Sequence, residues 1–427
     1  MSPPLIYNLF PRLVGPTTRW PEHARAAAEM GFNWLYVNPW HYPGFSGSLY
    51  APKEFDRINP LFLPPGTDAY SLEPLRDFLN DVRDLGIPVM MDLVVNHTSK
   101  DAPLVSEHPD WYVRDAEGEV VSPSVTDPDD ASKRTVWGDL AEIDNAGSTD
   151  RENLWSFWAT LVADAMEMGF AGFRCDAAYM VPAGLWRRLI SVAREHDPEA
   201  TFFAETLGAP VDSVLALREA GFDYFFNSSK WWNFRESWAL DQHASFGRIA
   251  PSISFPETHD TTRLAEDSGG SEPVQRQRYA FAAAFSAGLM MPIGYEFGFR
   301  NRVDVVHTKP SDWERPSFDL RPFVGRVNRL KSNHHLLQGE GHLNAALGLE
   351  GDVLVLERRS DDGNSRGFIL VNKDAGAERE VDLESIGARN DALELLRVCR
   401  DDAPEGGVPV PTKLRLAAAE VVYLLPS

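Results

Sequence analysis

Apolar positions in the middle of the chain fall at Leu154, Trp158, Leu161, Ala165 and Met168, spacings that trace one face of an amphipathic helix. Gly169 closes that stripe, and a short apolar run follows, Phe170-Ala171-Gly172-Phe173-Arg174-Cys175-Asp176. A helix, a glycine and a run of this length predict a buried strand with Arg174 and Asp176 at its downstream end. Two residues apart on a strand, the guanidinium and the carboxylate face the same side. They form either an ion pair closing one end of a barrel or part of a pocket, and the run by itself leaves both open.

The same alternation runs along most of the chain. Besides the central run, strands are predicted over 5–10, 32–39, 87–97, 201–205, 223–227, 252–260 and 289–296. Besides the helix ahead of Gly169, helices are predicted over 20–30, 72–85, 182–196, 211–220, 231–246, 274–287 and 318–333, several of them stopped by glycine. Eight strands alternating with eight helices predict an α/β protein with a parallel (β/α)8 TIM barrel. The polar stretch 99–147, rich in Asp, Pro and Ser, is too long for a connection and predicts a short inserted subdomain after the third strand. Beyond residue 341 helical periodicity gives way to short β runs such as Val353-Leu354-Val355-Leu356, which predict a C-terminal antiparallel β-sandwich. The expected division is a barrel over 1–98 and 148–340, an insertion over 99–147 and a β domain over 341–427.

Composition narrows the partners. With 427 residues, 43% of them hydrophobic and 24% charged, the chain is long enough for a large globular core, and no run approaches a membrane span. No basic segment followed by an apolar core opens the sequence, so a cytoplasmic location is expected, and the two cysteines, Cys175 and Cys399, suit a reducing compartment. A formal charge of -22 opposes nucleic acid and anionic membranes and suits an uncharged substrate.

In a barrel of this type chemistry gathers where strands end. The polar residues at predicted strand ends are Asp92, Asn96 and His97, then Arg174 and Asp176, Glu205, and His259 with Asp260. A barrel of ~250 residues allots roughly 31 residues to each unit. Asp176 and Glu205 are 29 positions apart and Glu205 and Asp260 are 55 apart, about one unit and two. Three carboxylates in one pocket repel one another, which keeps a proton on at least one near neutral pH. One ionised and one protonated carboxyl are what glycosidic bond cleavage requires. A strand-end Asp such as Asp92 also serves to brace loops, and Asp92 and Asn96 read as structural.

Asp92-Leu93-Val94-Val95-Asn96-His97, Gly172-Phe173-Arg174-Cys175-Asp176, Phe203-Ala204-Glu205 and Thr258-His259-Asp260 occur in this order. Together they resemble the four motif regions of the α-amylase superfamily, glycoside hydrolase family 13, and the resemblance spans nearly the whole chain. It implies Asp176 as nucleophile, Glu205 as general acid and base, and Asp260 as transition-state stabiliser. Arg174, His97 and His259 would surround the same sugar, the imidazoles donating to its hydroxyls, with Tyr50 as the aromatic platform beneath it. Trp40 and Tyr179 are further candidates for stacking on substrate, and Trp137, Trp231 and Trp232 are aromatics available either to sugar or to packing. The resemblance implies no required cofactor, and a calcium ion in some relatives, at positions matched here by Asn96 and Asp139.

Departures from the pattern bear on the acceptor. Tyr179 and Met180 stand where many hydrolases of the family have a basic residue and a histidine, and Thr258 stands where they have asparagine. Gly294-Tyr295-Glu296-Phe297-Gly298 resembles bacterial maltosyltransferases that use maltose 1-phosphate, a match that does not extend to the N-terminal extension of those enzymes. The expected activity is that of a retaining α-glycosidase on α-glucans, maltooligosaccharides or a related α-glucoside. Transglycosylation or phosphorolysis from the same covalent intermediate, and a non-catalytic glucan-binding or partner-binding barrel, are the alternatives.

Overall fold

The computed structural model describes residues 2–126, 134–388, 392–404 and 406–427. Met1 and residues 127–133 of the predicted insertion therefore lie outside the described residues. Eight parallel strands close into a barrel: β1 Leu5–Leu9, β2 Trp34–Val37, β3 Val89–Leu93, β4 Gly172–Cys175, β5 Thr201–Glu205, β6 Tyr224–Phe226, β7 Ser252–Ser254 and β8 Gly288–Pro292. Each strand pairs with its sequence neighbours, and β8 closes on β1. All residues of β1, β3, β4, β7 and β8 are buried, as parallel strands covered by helices require.

The helices are α1 Trp20–Glu29, α2 Glu73–Arg83, α3 Arg151–Met168, α4 Ala183–His196, α5 Val211–Leu215, α6 Trp238–Phe246, α7 Glu272–Phe285 and α8 Arg321–Asn333. Gly169 ends α3 in a left-handed conformation at φ 115°, its N–H donating to the carbonyls of Ala165 and Met166. Three residues on, a Cβ at Gly172 would lie 2.4 Å from the Thr201 carbonyl oxygen, so only glycine lets β4 approach β5 there. On α3, Val162 and Met166 are buried and Leu161 is only half-buried, a shift of the predicted stripe by one position.

Several predicted elements are shorter than expected, among them the strands over 32–39, 87–97 and 289–296 and the helix over 211–220, and in two further cases the local cause is visible. The strand predicted over 252–260 ends at Ser254, and Pro256, which has no N–H to give a ladder, lies just beyond it. The helix predicted over 231–246 begins at Trp238, because Phe234 takes a left-handed φ of 66° and interrupts the helical path.

Within the insertion, His97–Ser99 pairs antiparallel with Leu140–Glu142, which brings the two ends of the excursion together beside β3. Toward the C-terminus, β9 His342–Leu347, β10 Val353–Arg359, β11 Arg366–Asn372, β12 Arg379–Asp382, β13 Leu393–Leu396, β14 Val408–Pro409, β15 Lys413–Leu416 and β16 Val421–Pro426 form two antiparallel sheets. The larger has the order β9-β10-β11-β16-β13-β14 and the smaller is β12-β15. Strand alternation gives the larger sheet two apolar faces. Leu354, Leu356, Ile369, Val371 and Tyr423 join the barrel's outer core, while Val355, Phe368, Leu370 and Leu424 pack with Val381 and Leu414 of the smaller sheet. Lys331 and Arg358 are buried at this junction, each spending its donors on three backbone carbonyls.

Candidate active site

Register sets the floor of the site. Ile6, Tyr36, Met90, Phe203, Phe226, Ile253, Phe255 and Met290 fill the barrel interior, and polar residues replace them at the strands' C-terminal ends. Asp92 on β3 lies directly opposite Arg174 on β4, and Glu205 closes β5 one strand further round. Asp176 follows β4 by one residue, two positions after Arg174, and so shares its face.

Arg174 is the hub. Its Nη1 donates to Asp92 Oδ1 and Asp176 Oδ1, and its Nη2 pairs with Glu205 Oε1, each at 2.7 Å. The guanidinium is buried, so one cation holds three carboxylates in a region of low dielectric. The second oxygens of Asp92 and Glu205 have partners as well. Asp92 Oδ2 accepts from the Tyr36 and Tyr50 hydroxyls at 2.5 Å each, and Glu205 Oε2 accepts from the Ala177 backbone N–H at 2.8 Å. Asn38 Nδ2 donates to both tyrosine oxygens, and Asn8 Nδ2 donates to Asn38 Oδ1.

The electrostatics divide the acids. Burial lifts Asp176 well above the usual carboxylate range, Arg174 opposes the shift, and Glu205 and Asp92 add to it. Burial also lifts Glu205, against Arg174 and with a contribution from Asp260. Glu205 is among the acids that raise Asp176, so a proton on Glu205 relieves that repulsion. Asp260 behaves differently, with a side chain 52% exposed and Oδ2 lying 3.0 Å from His259 Nε2. Desolvation raises it, but His259, then Arg174 and Arg302, outweigh that and hold it down at about 2.

His259 Nε2 also lies 2.8 Å from the Tyr50 hydroxyl, and the two rings stack at 5.4 Å with 6° between their planes. Tyr179, half-buried, is pushed up to about 12 by burial and then by Glu205 and Asp176, which places it beside both acids. A narrow crevice is lined by Tyr36, Arg174, Glu205, Phe226, His259 and Asp260. Asp92, Asp176, Glu205, Asp260, Arg174, His259, Tyr50 and Tyr179 are thus gathered at one end of the barrel.

Other expected residues lie elsewhere or act through another group. Trp40 is only 2% exposed and stacks on His41 and Phe170, so its faces are taken by protein and it is a wall residue of the outer core. Trp232 is fully buried, while Trp137 and Trp231 are exposed. His97 is buried and donates from Nε2 to the Tyr50 carbonyl at 2.8 Å, with burial pulling it down to about 4. Its single N–H is therefore spent on bracing Tyr50 and is not free to donate to a hydroxyl, contrary to the expectation from the motif. Tyr36, Asn38 and Asn8 were not singled out from the sequence. The signal available was their spacing, since Tyr36 and Asn38 are two apart at the end of a strand and face one side.

The calcium expectation meets a thin donor set. Asn96 Oδ1 is buried without a partner, and the backbone carbonyl of Asp139 accepts from the Lys100 N–H. A hard cation takes six to eight oxygens, and among the described residues no group of three or more Asp, Glu, His or Cys side chains is arranged to hold a metal ion. Among the described residues no helix is long and apolar enough to cross a membrane.

Comparison with known proteins adds a second line of observation. Residues 5–115 match the family model described as glycogen debranching enzyme, glucanotransferase domain. An α-1,4-glucan:maltose-1-phosphate maltosyltransferase from Burkholderia pseudomallei is 26% identical over 87% of this chain and 33% of its own length. The enzyme of the same description from Myxococcus xanthus is 27% identical over 85% of this chain and 57% of its own. The chain thus spans a third to somewhat over half of these curated relatives. Among solved structures, an α-amylase from Lactobacillus plantarum superposes with a TM-score of 0.75 at 20% identity over 98% of both chains, a likeness of fold.

Proposed function

We propose that this chain is a member of the α-amylase superfamily, glycoside hydrolase family 13, and that it transfers α-glycosyl units from an α-glucan or related α-glucoside by a retaining mechanism. The observation that carries this reading is the Arg174 guanidinium holding Asp176 and Glu205 on its two terminal nitrogens at 2.7 Å each. Two carboxylates hung on one guanidinium stay close. A separation of ~5–5.5 Å suits double displacement, whereas inversion needs ~6.5–9.5 Å to admit a water.

In the first step Asp176 attacks the anomeric carbon and the C–O bond to the leaving group breaks as Glu205 gives that oxygen its proton. In the second, Glu205 takes a proton from the acceptor hydroxyl, which displaces Asp176 from the same carbon with net retention. Arg174 opposes the burial that favours a proton on Asp176, and Asp260, held anionic by His259, faces the positive charge that develops on the sugar.

The acceptor distinguishes hydrolase from transferase. Tyr179 and the exposed Met180 follow the nucleophile on a short 3-10 turn, and this aromatic and thioether surface suits a sugar ring better than an ordered water. The similarity to maltosyltransferases over most of the chain supports the same preference, with a glucan hydroxyl as acceptor. Hydrolysis is the second reading, supported by the half-exposed Asp260. The proposed units are the barrel over 1–98 and 148–340, the insertion over 99–147 and the β domain over 341–427.

The test is a product profile from short maltooligosaccharides, and from maltose 1-phosphate with a glucan acceptor, using Asp176→Ala as the blank. Longer chains establish transfer, shorter sugars alone establish hydrolysis, and a first-formed product of inverted configuration overturns the retaining mechanism.

A further inference from the structure

The side chains of Asp176 and Glu205 are mostly buried, whereas half of the Asp260 side chain is exposed, so its aim depends on how its backbone is held. Both backbone groups are gripped. The Asp260 N–H donates to Thr258 Oγ1 at 3.2 Å, and its carbonyl accepts from Arg302 Nη2 at 2.8 Å. The first contact is local to the turn. The second comes from the loop after β8, 42 residues further along the chain.

Arg302 is an exposed residue on a pinned stretch of backbone. Before it, Asn301 donates its N–H to Glu314 Oε1 at 2.8 Å, and the Asn301 carbonyl accepts from Arg263 Nε at 3.4 Å. Arg263 is buried and pairs at 2.7 Å with Glu257, in the same loop as Asp260. After it, Val303 packs in the outer core, and Asp304 Oδ1 accepts from the N–H groups of Val306 and His307. The Val305 carbonyl accepts from the N–H of Leu49, the neighbour of Tyr50, at 3.1 Å, and Arg12 donates to the carbonyls of both Thr308 and Gly47. The loop after β8 is therefore a strut, fixed to the loop that carries Tyr50 and reaching Asp260 through one guanidinium.

A charge-assisted hydrogen bond from a fixed root positions its acceptor. Developing charge is stabilised by groups already in place, and a displacement of ~1 Å can cost ~10²-fold in rate. We propose that Arg302 is a positioning residue, holding the Asp260 backbone so that its carboxylate faces the reacting sugar carbon. The effect on turnover rests on the glycosyl-transfer reading, and the anchoring of Asp260 does not.

The test compares Arg302→Met, which removes the donor, with Arg302→Lys, which keeps a cation and an N–H for the carbonyl. Amide hydrogen exchange followed by mass spectrometry is expected to run about tenfold or more faster over residues 257–262 in Arg302→Met, with peptides from α3 unchanged. On maltooligosaccharides kcat is expected to fall about tenfold or more with KM within about twofold, and Arg302→Lys is expected to recover most of both losses. Unchanged exchange in Arg302→Met would overturn the anchor. Parent-like kcat despite faster exchange, or no recovery in Arg302→Lys, would overturn the positioning role, and a rise in KM alone would make Arg302 a substrate contact instead. A parent without turnover, its exchange still responding to Arg302→Met, would sink the glycosyl-transfer reading and leave the anchor standing.

Discussion

Ala177 holds a left-handed backbone conformation, φ 39° and ψ 47°, and from it donates its N–H to Glu205 Oε2 at 2.8 Å. With Oε1 on Arg174, both oxygens of Glu205 are fixed by groups of the segment that also carries Asp176. The left-handed region costs a residue with a Cβ ~1–2 kcal/mol, so the strain is maintained by the contacts around it. Ala177→Gly removes the strain and keeps the N–H, and is expected to leave kcat within about twofold. Ala177→Val, β-branched and unsuited to positive φ, is expected to cost ~2 kcal/mol of stability and to lower kcat ~10-fold or more by displacing Glu205. Denaturant midpoints and initial rates on the two variants check this.

Glu205→Gln keeps one oxygen, which can accept from Ala177 or Arg174 but not from both, and supplies no proton. A loss of ~10²–10⁴-fold in turnover of maltooligosaccharides is expected, the contribution of a positioned acid. An aryl α-glucoside whose leaving group needs no proton should lose much less in the first step. Rapid-quench measurement of that step compares the two substrates, and an equal loss on both would remove Glu205 from the role of acid.

Asp92 and Asp176 share Arg174 but should respond to neutralisation with opposite sign. Asp92 is 1% exposed and accepts from Arg174, Tyr36 and Tyr50, so Asp92→Asn breaks a buried pair and is expected to cost ~3–5 kcal/mol. Asp176 has its pKa raised, chiefly by burial with Glu205 and Asp92 adding to it, so its ionised form destabilises the folded chain. A raised folded value means that stability is greatest at low pH and is lost as pH rises through it. Asp176→Asn is therefore expected to melt higher than the parent at pH 7, with the gain vanishing below the unfolded value of ~3.9. Calorimetry of both variants at pH 4 and pH 7 tests the contrast.

What the sequence made legible follows from where burial is unambiguous. The eight barrel strands could be read because parallel strands buried on both faces show as short apolar runs between helical stripes. The strand-end acids stood out because charge in such a run is costly unless it is used or paired. Trp40 misled for the converse reason, since an aromatic after a strand looks the same whether its faces are covered by His41 and Phe170 or open to solvent. Tyr36 was hidden because its ring fills the barrel core while only its hydroxyl reaches Asp92. Element ends at Ser254 and Trp238 depend on Pro256 and on the positive φ of Phe234, local effects that periodicity does not report.

The acid limb of activity separates the pair from the third carboxylate. Asp176 and Glu205 are both raised by burial, with neighbouring acids adding to it, so loss of kcat/KM on acidification should begin above the ordinary carboxyl range of ~4. Asp260 is held at about 2 because His259 and then Arg174 outweigh its desolvation, so it stays ionised across that whole limb. Asp260→Asn is accordingly expected to lower the rate at every pH and, because Asp260 contributes to raising Glu205, to move the midpoint of the limb downward. His259→Gln removes the largest of the groups holding Asp260 down and lets it rise toward ~3.9, adding a second loss at the acid end of the profile. Profiles of kcat/KM from pH 3 to pH 8 on the parent and both variants measure this, and a limb that disappears in Asp260→Asn would mean that Asp260 itself carries the controlling proton.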